Sequence, residues 1–119
     1  MKLKKLPYAL TVAKYDAVPH SVNGFYSLSV SETEVSLVAE TQKLPEGYVS
    51  RADGLRAFVV IGPLAFSLVG VLARLSAVLA ANGIPLFAVS TYDTDYLLVK
   101  DEDFARAELA FRDAEVEVL

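Results

Sequence analysis

Two carboxylates and a helix start are the residues in this chain best placed to do chemistry together. Asp93 and Asp95 bracket Thr94 at the tip of a predicted hairpin. Earlier in the chain, the loop from Gly62 to Ser67 leads into a nearly all-apolar predicted helix. The first N–H groups of a helix have no partner within it and favour an anion, whereas an aspartate favours a cation. A small zwitterion such as a free amino acid offers both. The plainer reading of an aspartate at a hairpin tip is a solvated turn former that bonds its own backbone. Asp95 fits that reading less well than Asp93. It stands between Thr94 and Tyr96 at the start of a strand, where alternation sets its side chain on the face opposite Tyr96.

Other chemistries find little support. His20 is the only histidine and follows Pro19 in a loop, with no second ligand pattern beside it that would suggest a metal. Serines are plentiful, but no Gly-x-Ser-x-Gly elbow occurs, and the one histidine would have to serve any triad. Neither a Gly-x-Gly-x-x-Gly fingerprint nor a phosphate-binding loop is present. The expectation is a binding protein that is not an enzyme and calls for no metal or cofactor.

Composition sets the class. With 119 residues, 54% of them hydrophobic and 22% charged, the chain suits one compact domain or two small fused halves. A net charge of −4 argues against nucleic acid as a partner. The lysines at 2, 4 and 5 read as a solvated basic arm. The absence of cysteine fits a reducing cytoplasm, and the N-terminus has no apolar signal-peptide core. Residues 64–81 are apolar enough to raise the question of a membrane span. Arg74, Gly70 and Ser76 interrupt them, and they fall short of the roughly 20 residues a span requires. No membrane contact is expected.

Two halves position the candidate residues. Residues 8–15, 25–30 and 34–40 read as strands, and 41–54 as a loop with Pro45, Gly47 and the Asp53-Gly54 pair as breakers. The expected division is therefore 1–54, β-rich and without helices, and 55–119. In the second half, 55–61 reads as a strand, followed by a helix over 67–82 with Ser67 at its N-cap. Leu68, Leu72, Leu75 and Leu79 form its packing stripe, and Asn82-Gly83 its stop. A hairpin over 86–100, a helix over 102–114 packing through Phe104, Ala107 and Phe111, and a strand over 116–119 complete it. The order βαββαβ is that of an α+β, ferredoxin-like unit, for which a four-stranded antiparallel sheet is expected.

The motifs Gly62-Pro63-Leu64-x-Phe66-Ser67-Leu68-x-Gly70 and Ser90-Thr91-Tyr92-x-Thr94-Asp95-Tyr96-x-Leu98-Val99-Lys100 closely resemble ACT domains of the arginine-sensor, CASTOR-like type. Thr33-Glu34-Val35-Ser36-Leu37-Val38 is similar to a segment of the degenerate ACT-like half that precedes the domain in that family. The resemblance implies a regulatory protein, a homodimer that binds a small molecule, usually an amino acid, where ACT units meet. Carried over residue by residue, it points to Leu64, Ala65, Phe66 and Ser67, and to Ser90, Thr91, Tyr92 and Asp95. Many family members have a carboxylate where this chain has Ala65, which removes a contact to a basic ligand side chain. The competing expectation is a protein–protein interaction module that has kept the fold without a ligand.

Overall fold

The computed structural model describes residues 1–61 and 70–119. Its elements are β1 (Lys2–Lys5), β2 (Leu10–Tyr15), β3 (Tyr26–Val30), β4 (Val35–Glu40), a single 3-10 turn (Thr41–Lys43) and β5 (Tyr48–Val60). They continue with α1 (Val71–Ala81), β6 (Phe87–Ser90), β7 (Asp95–Lys100), α2 (Asp101–Asp113) and β8 (Glu117–Val118). Two compact units result, one of residues 1–7 with 56–119 and the other of residues 8–55.

In the first unit the strands run β8-β1-β5-β7-β6. From β5 onward the chain follows the expected βαββαβ order, so the fold is α+β and ferredoxin-like. The expected four-stranded antiparallel sheet needs correction, because β1 stands between the first and last strands of that order. It pairs antiparallel with β5, setting Leu3 opposite Val60, and parallel with β8, setting Leu3 beside Val118. The supposed basic arm is therefore an interior strand. Leu3 is fully buried on the helix-bearing face while Lys2 and Lys4 remain exposed. Lys5 donates to Glu108 of α2 at 2.8 Å.

The core of this unit joins Leu3, Phe58, Val60, Leu97 and Val99 of the strands to Leu75 and Leu79 of α1 and Ala107 and Phe111 of α2. Of the leucine stripe, Leu75 and Leu79 are buried and Leu72 packs at its margin, while Leu68 lies outside the described residues. Phe58 meets Phe111 edge-on at 5.2 Å and Phe104 at 4.5 Å. The described helix α1 begins at Val71, after Gly70 in the left-handed region; the expected helix start at Ser67 lies outside the described residues. Both helices end in Schellman motifs. Ile84 N–H reaches Leu79 O at 2.9 Å with Gly83 at φ 67°, and Val116 N–H reaches Phe111 O at 2.9 Å with Glu115 at φ 64°. Each motif turns a buried residue, Ile84 or Val116, back under the helix. Among the described residues no helix is long and apolar enough to cross a membrane.

The second unit contains no helix beyond the 3-10 turn. Its strands run β3-β4-β2-β5, all antiparallel. The expected loop over 41–54 is corrected here, since residues 48–54 belong to β5. The pairing of β5 with β2 slips by one residue at two places, opposite Leu10/Val12 and Lys14/Tyr15. The Asp53-Gly54 signal marks the first of these bulges. Gly54 takes φ 77°, which kinks the strand without ending it. The core on one face is small: Ala13, Tyr15, Leu37 and Ala39, covered by Val22, Val35 and Leu44.

Candidate functional site

The β6–β7 hairpin brings together four of the expected site residues. Ser90 and Asp95 are register partners, and the turn between them closes through Thr91 N–H to Thr94 O at 2.8 Å. The Thr91 hydroxyl supports the same turn by accepting the Thr94 N–H at 3.2 Å. Short polar side chains that bond their own backbone are what such a turn requires. Tyr92 stands at its tip, 78% exposed, and Asp93 beside it is also exposed.

Asp95 differs from Asp93 as the sequence implied. It is half-buried, and its Oδ1 accepts a 2.5 Å hydrogen bond from Ser90 Oγ. Alternation along β7 puts Asp95 on the side of Leu97 and Val99, the face covered by the two helices. Its carboxylate therefore lies at the margin of a helix-covered face, with one oxygen steadied by a neutral hydroxyl. Among the described residues the charge itself is not met by an ion pair. Such a group can accept further hydrogen bonds from a cation.

Thr94, part of the sequence motif, is not among the expected contacts. Its Oγ1 donates to Val60 O at the end of β5 and pins the hairpin turn where the chain leaves that strand. Within the motif, a threonine beside a turn aspartate was the only signal available. Leu64, Ala65, Phe66 and Ser67 lie outside the described residues, so the second cluster of expected contacts is not part of this geometry.

Two other polar groupings belong to the residue 8–55 unit. Thr11, fully buried, donates to Asp53 Oδ1 at 2.7 Å and shares a 2.8 Å hydrogen bond with the Thr41 hydroxyl. Arg51, stacked 5.0 Å over the Tyr48 ring, donates to the same Asp53 oxygen. Together with Thr11 it holds the Asp53 carboxyl below its usual range. This set fastens the bulged strand. A hollow of about 470 Å³ is lined by Tyr15, Asp16, Pro19, His20, Pro45 and Glu46, among others. His20 is exposed there, and the Tyr15 hydroxyl donates to Pro45 O at 2.7 Å. Burial pushes the Tyr15 phenol up, with Arg51 opposing. Among the described residues no three His, Asp or Glu side chains are grouped so as to hold a metal ion.

Comparison with known proteins agrees with this architecture. A protein of Agobacterium tumefaciens of known crystal structure is 30% identical, with a TM-score of 0.88 over 99% of this chain and 91% of its own. A Vibrio cholerae protein of unknown function, described as a possible transport protein, is 16% identical with a TM-score of 0.69, over 91% of this chain and 84% of its own. The aspartate kinase of Clostridium acetobutylicum, described as an allosteric enzyme, is 15% identical with a TM-score of 0.67. That match covers 94% of this chain and 33% of the kinase, so it speaks for the fold alone. A family model described as the ACT domain matches residues 50–113, more than half of the chain. On that match, together with the βαββαβ order that carries the hairpin, the chain belongs to the ACT domain family.

Proposed function

We propose that this ACT protein is a regulatory sensor that binds a free amino acid, with Asp95 as the acceptor for the ligand ammonium. The observation that carries the reading is the Asp95 carboxylate itself. It is half-buried on the helix-bearing face, oriented by Ser90, and set in a turn fixed by Thr91 and Thr94. A neutral partner orients the carboxylate without neutralising it, which leaves its charge for a cation. The ligand carboxylate goes to the loop of Leu64, Ala65, Phe66 and Ser67, the loop to which the resemblance to arginine-sensor-type ACT domains points. Residues 8–55 act as the degenerate, helix-poor ACT-like half, and two chains associate as a homodimer with the ligand where ACT units meet. Because Ala65 offers no carboxylate, a ligand with a neutral side chain is preferred over arginine. The protein works by binding rather than by catalysis.

A thermal-shift screen over the amino acids tests this reading. A ligand that binds only the folded state at a hundred times its dissociation constant stabilises by about 2.7 kcal/mol, enough to raise the melting temperature by several degrees. No shift with any amino acid at millimolar concentration would favour an interaction module without a ligand. Tyr92, 78% exposed at the turn tip, would then be the side chain a protein partner meets.

A further inference from the structure

We infer that β3 is the surface through which two copies of this chain associate, pairing antiparallel about a two-fold axis at Leu28. The inference rests on the homodimer part of the proposed function and not on the ligand. Unpaired strand edges join other chains unless charge, proline, a bulge or short length blocks them. The other ends of the described pairing carry such devices. At β8 the strand is two residues long, and β6 has four residues with Pro85 just before it. β3, Tyr-Ser-Leu-Ser-Val, has no charge and no proline, and its pairing with β4 has no register shift. Along one face it exposes Tyr26 (48%), Leu28 (37%) and Val30 (60%).

That row is complementary to itself. An antiparallel pair centred on Leu28 sets Leu28 against its own copy and Tyr26 against Val30 of the second copy, an aromatic–β-branched pair on each side of the axis. On the opposite face Ser27 meets Ser29, where two hydroxyls can hydrogen-bond. The same register brings Glu32, exposed in the turn after β3, opposite Gly24 of the second copy. The Lys43 side chain runs beside Gly24 and is half-exposed, with its Nζ 3.8 Å from Glu40. Each acidic turn thus faces the Glu40–Lys43 ion pair, whose carboxylate also lies beside Gly24, so the pairing draws on the strand residues and not on charge at its ends. A five-residue strand pair buries less than the roughly 1,600 Å² of a standard interface, so the dimer should form in the micromolar range rather than be permanent.

The chain has no cysteine, so Leu28→Cys would introduce the only thiol. Directly opposed residues of antiparallel strands have Cα atoms about 4.5–5.5 Å apart, within the span of a disulfide. Mild oxidation should convert Leu28→Cys to a covalent dimer of twice 12.9 kDa, while Val30→Cys, which faces Tyr26, should cross-link at least about tenfold less. In sedimentation, Leu28→Lys and Val30→Lys should each weaken the dimer by about tenfold or more, the first by opposing two ammonium groups. Circular dichroism must show that each variant folds. Val30, the most exposed of the three, serves if Leu28→Lys does not. A monomer at high micromolar concentration in the wild type would overturn both the pairing and the homodimer. A dimer that survives both lysine variants, or equal cross-linking from positions 28 and 30, would overturn this pairing and leave the homodimer standing.

Discussion

The two units fold similar strand patterns by different means. In residues 1–7 and 56–119, α1 and α2 cover the sheet, and the core is built of large side chains: Phe58, Phe111, Leu75, Leu79 and Leu97. Residues 8–55 contain no α-helix, and the core on one face is two alanines, a leucine and a tyrosine. Hydrogen bonds do more there. Tyr15 holds the Pro45 carbonyl, Glu40 accepts the Phe25 N–H at 2.7 Å, and Thr11 joins Thr41 to Asp53. Stability in the helix-covered unit should therefore follow volume and apolar area, and in the helix-poor unit the making of particular polar contacts.

Core truncation should separate the two most strongly. Phe58→Ala removes the ring that meets both Phe104 and Phe111, and should cost about 3–5 kcal/mol in urea unfolding. A loss under about 1 kcal/mol would mean that the core does not centre there. In the other unit, Tyr15→Phe keeps the ring and deletes one hydroxyl, leaving the Pro45 carbonyl without that donor. About 0.5–1.5 kcal/mol should be lost. A neutral outcome would show that packing rather than bonding holds that unit as well.

The smallest effect concerns pH. Lys5 and then Arg112 hold the Glu108 carboxyl below its ordinary value of 4.5. A carboxyl depressed on folding contributes stability above its unfolded pKa and loses it as pH falls through the folded one. The contribution is at most about 1 kcal/mol, because Lys5 is more than a third exposed. Asp53, held down by Arg51 and Thr11, acts with the same sign in the other unit. Glu108→Gln should flatten the fall in stability below about pH 4.5 for the helix-covered unit, read by pH-dependent unfolding. An unchanged slope would show that the Lys5–Glu108 pair does not help anchor β1.

Most of the fold was legible where periodicity was strong. The α2 face of Phe104, Ala107 and Phe111, the Gly83 stop and the β6–β7 hairpin all appear in the sequence because each rests on local chemistry. β1 was not legible, since Lys-Leu-Lys-Lys has a single apolar residue and only its two neighbouring strands make it a strand. The start of β5 was hidden by Asp53-Gly54, which breaks a strand in most sequences and here makes a bulge against β2. The end of α2 near residue 114 was legible, but its Schellman geometry was not, because its left-handed residue is Glu115 and not glycine. At the site, the strand-start position of Asp95 was readable. Its hydrogen bond to Ser90 follows from the register of the hairpin, and the Thr94 contact with Val60 needed the tertiary fold.

The central claim is that Asp95 receives the ligand ammonium, and calorimetric titration of Asp95→Asn beside Asp93→Asn tests it most directly, using the amino acid found in the thermal screen. Asp95→Asn keeps the shape and the Ser90 contact but removes the charge. A charge-assisted hydrogen bond is worth about 1.5–3 kcal/mol, so affinity should fall by about tenfold to a hundredfold with the melting temperature of the free protein little changed. Asp93→Asn, exposed at the turn tip, should change affinity by less than about threefold. Equal losses in the two variants, or undiminished binding by Asp95→Asn, would contradict the account.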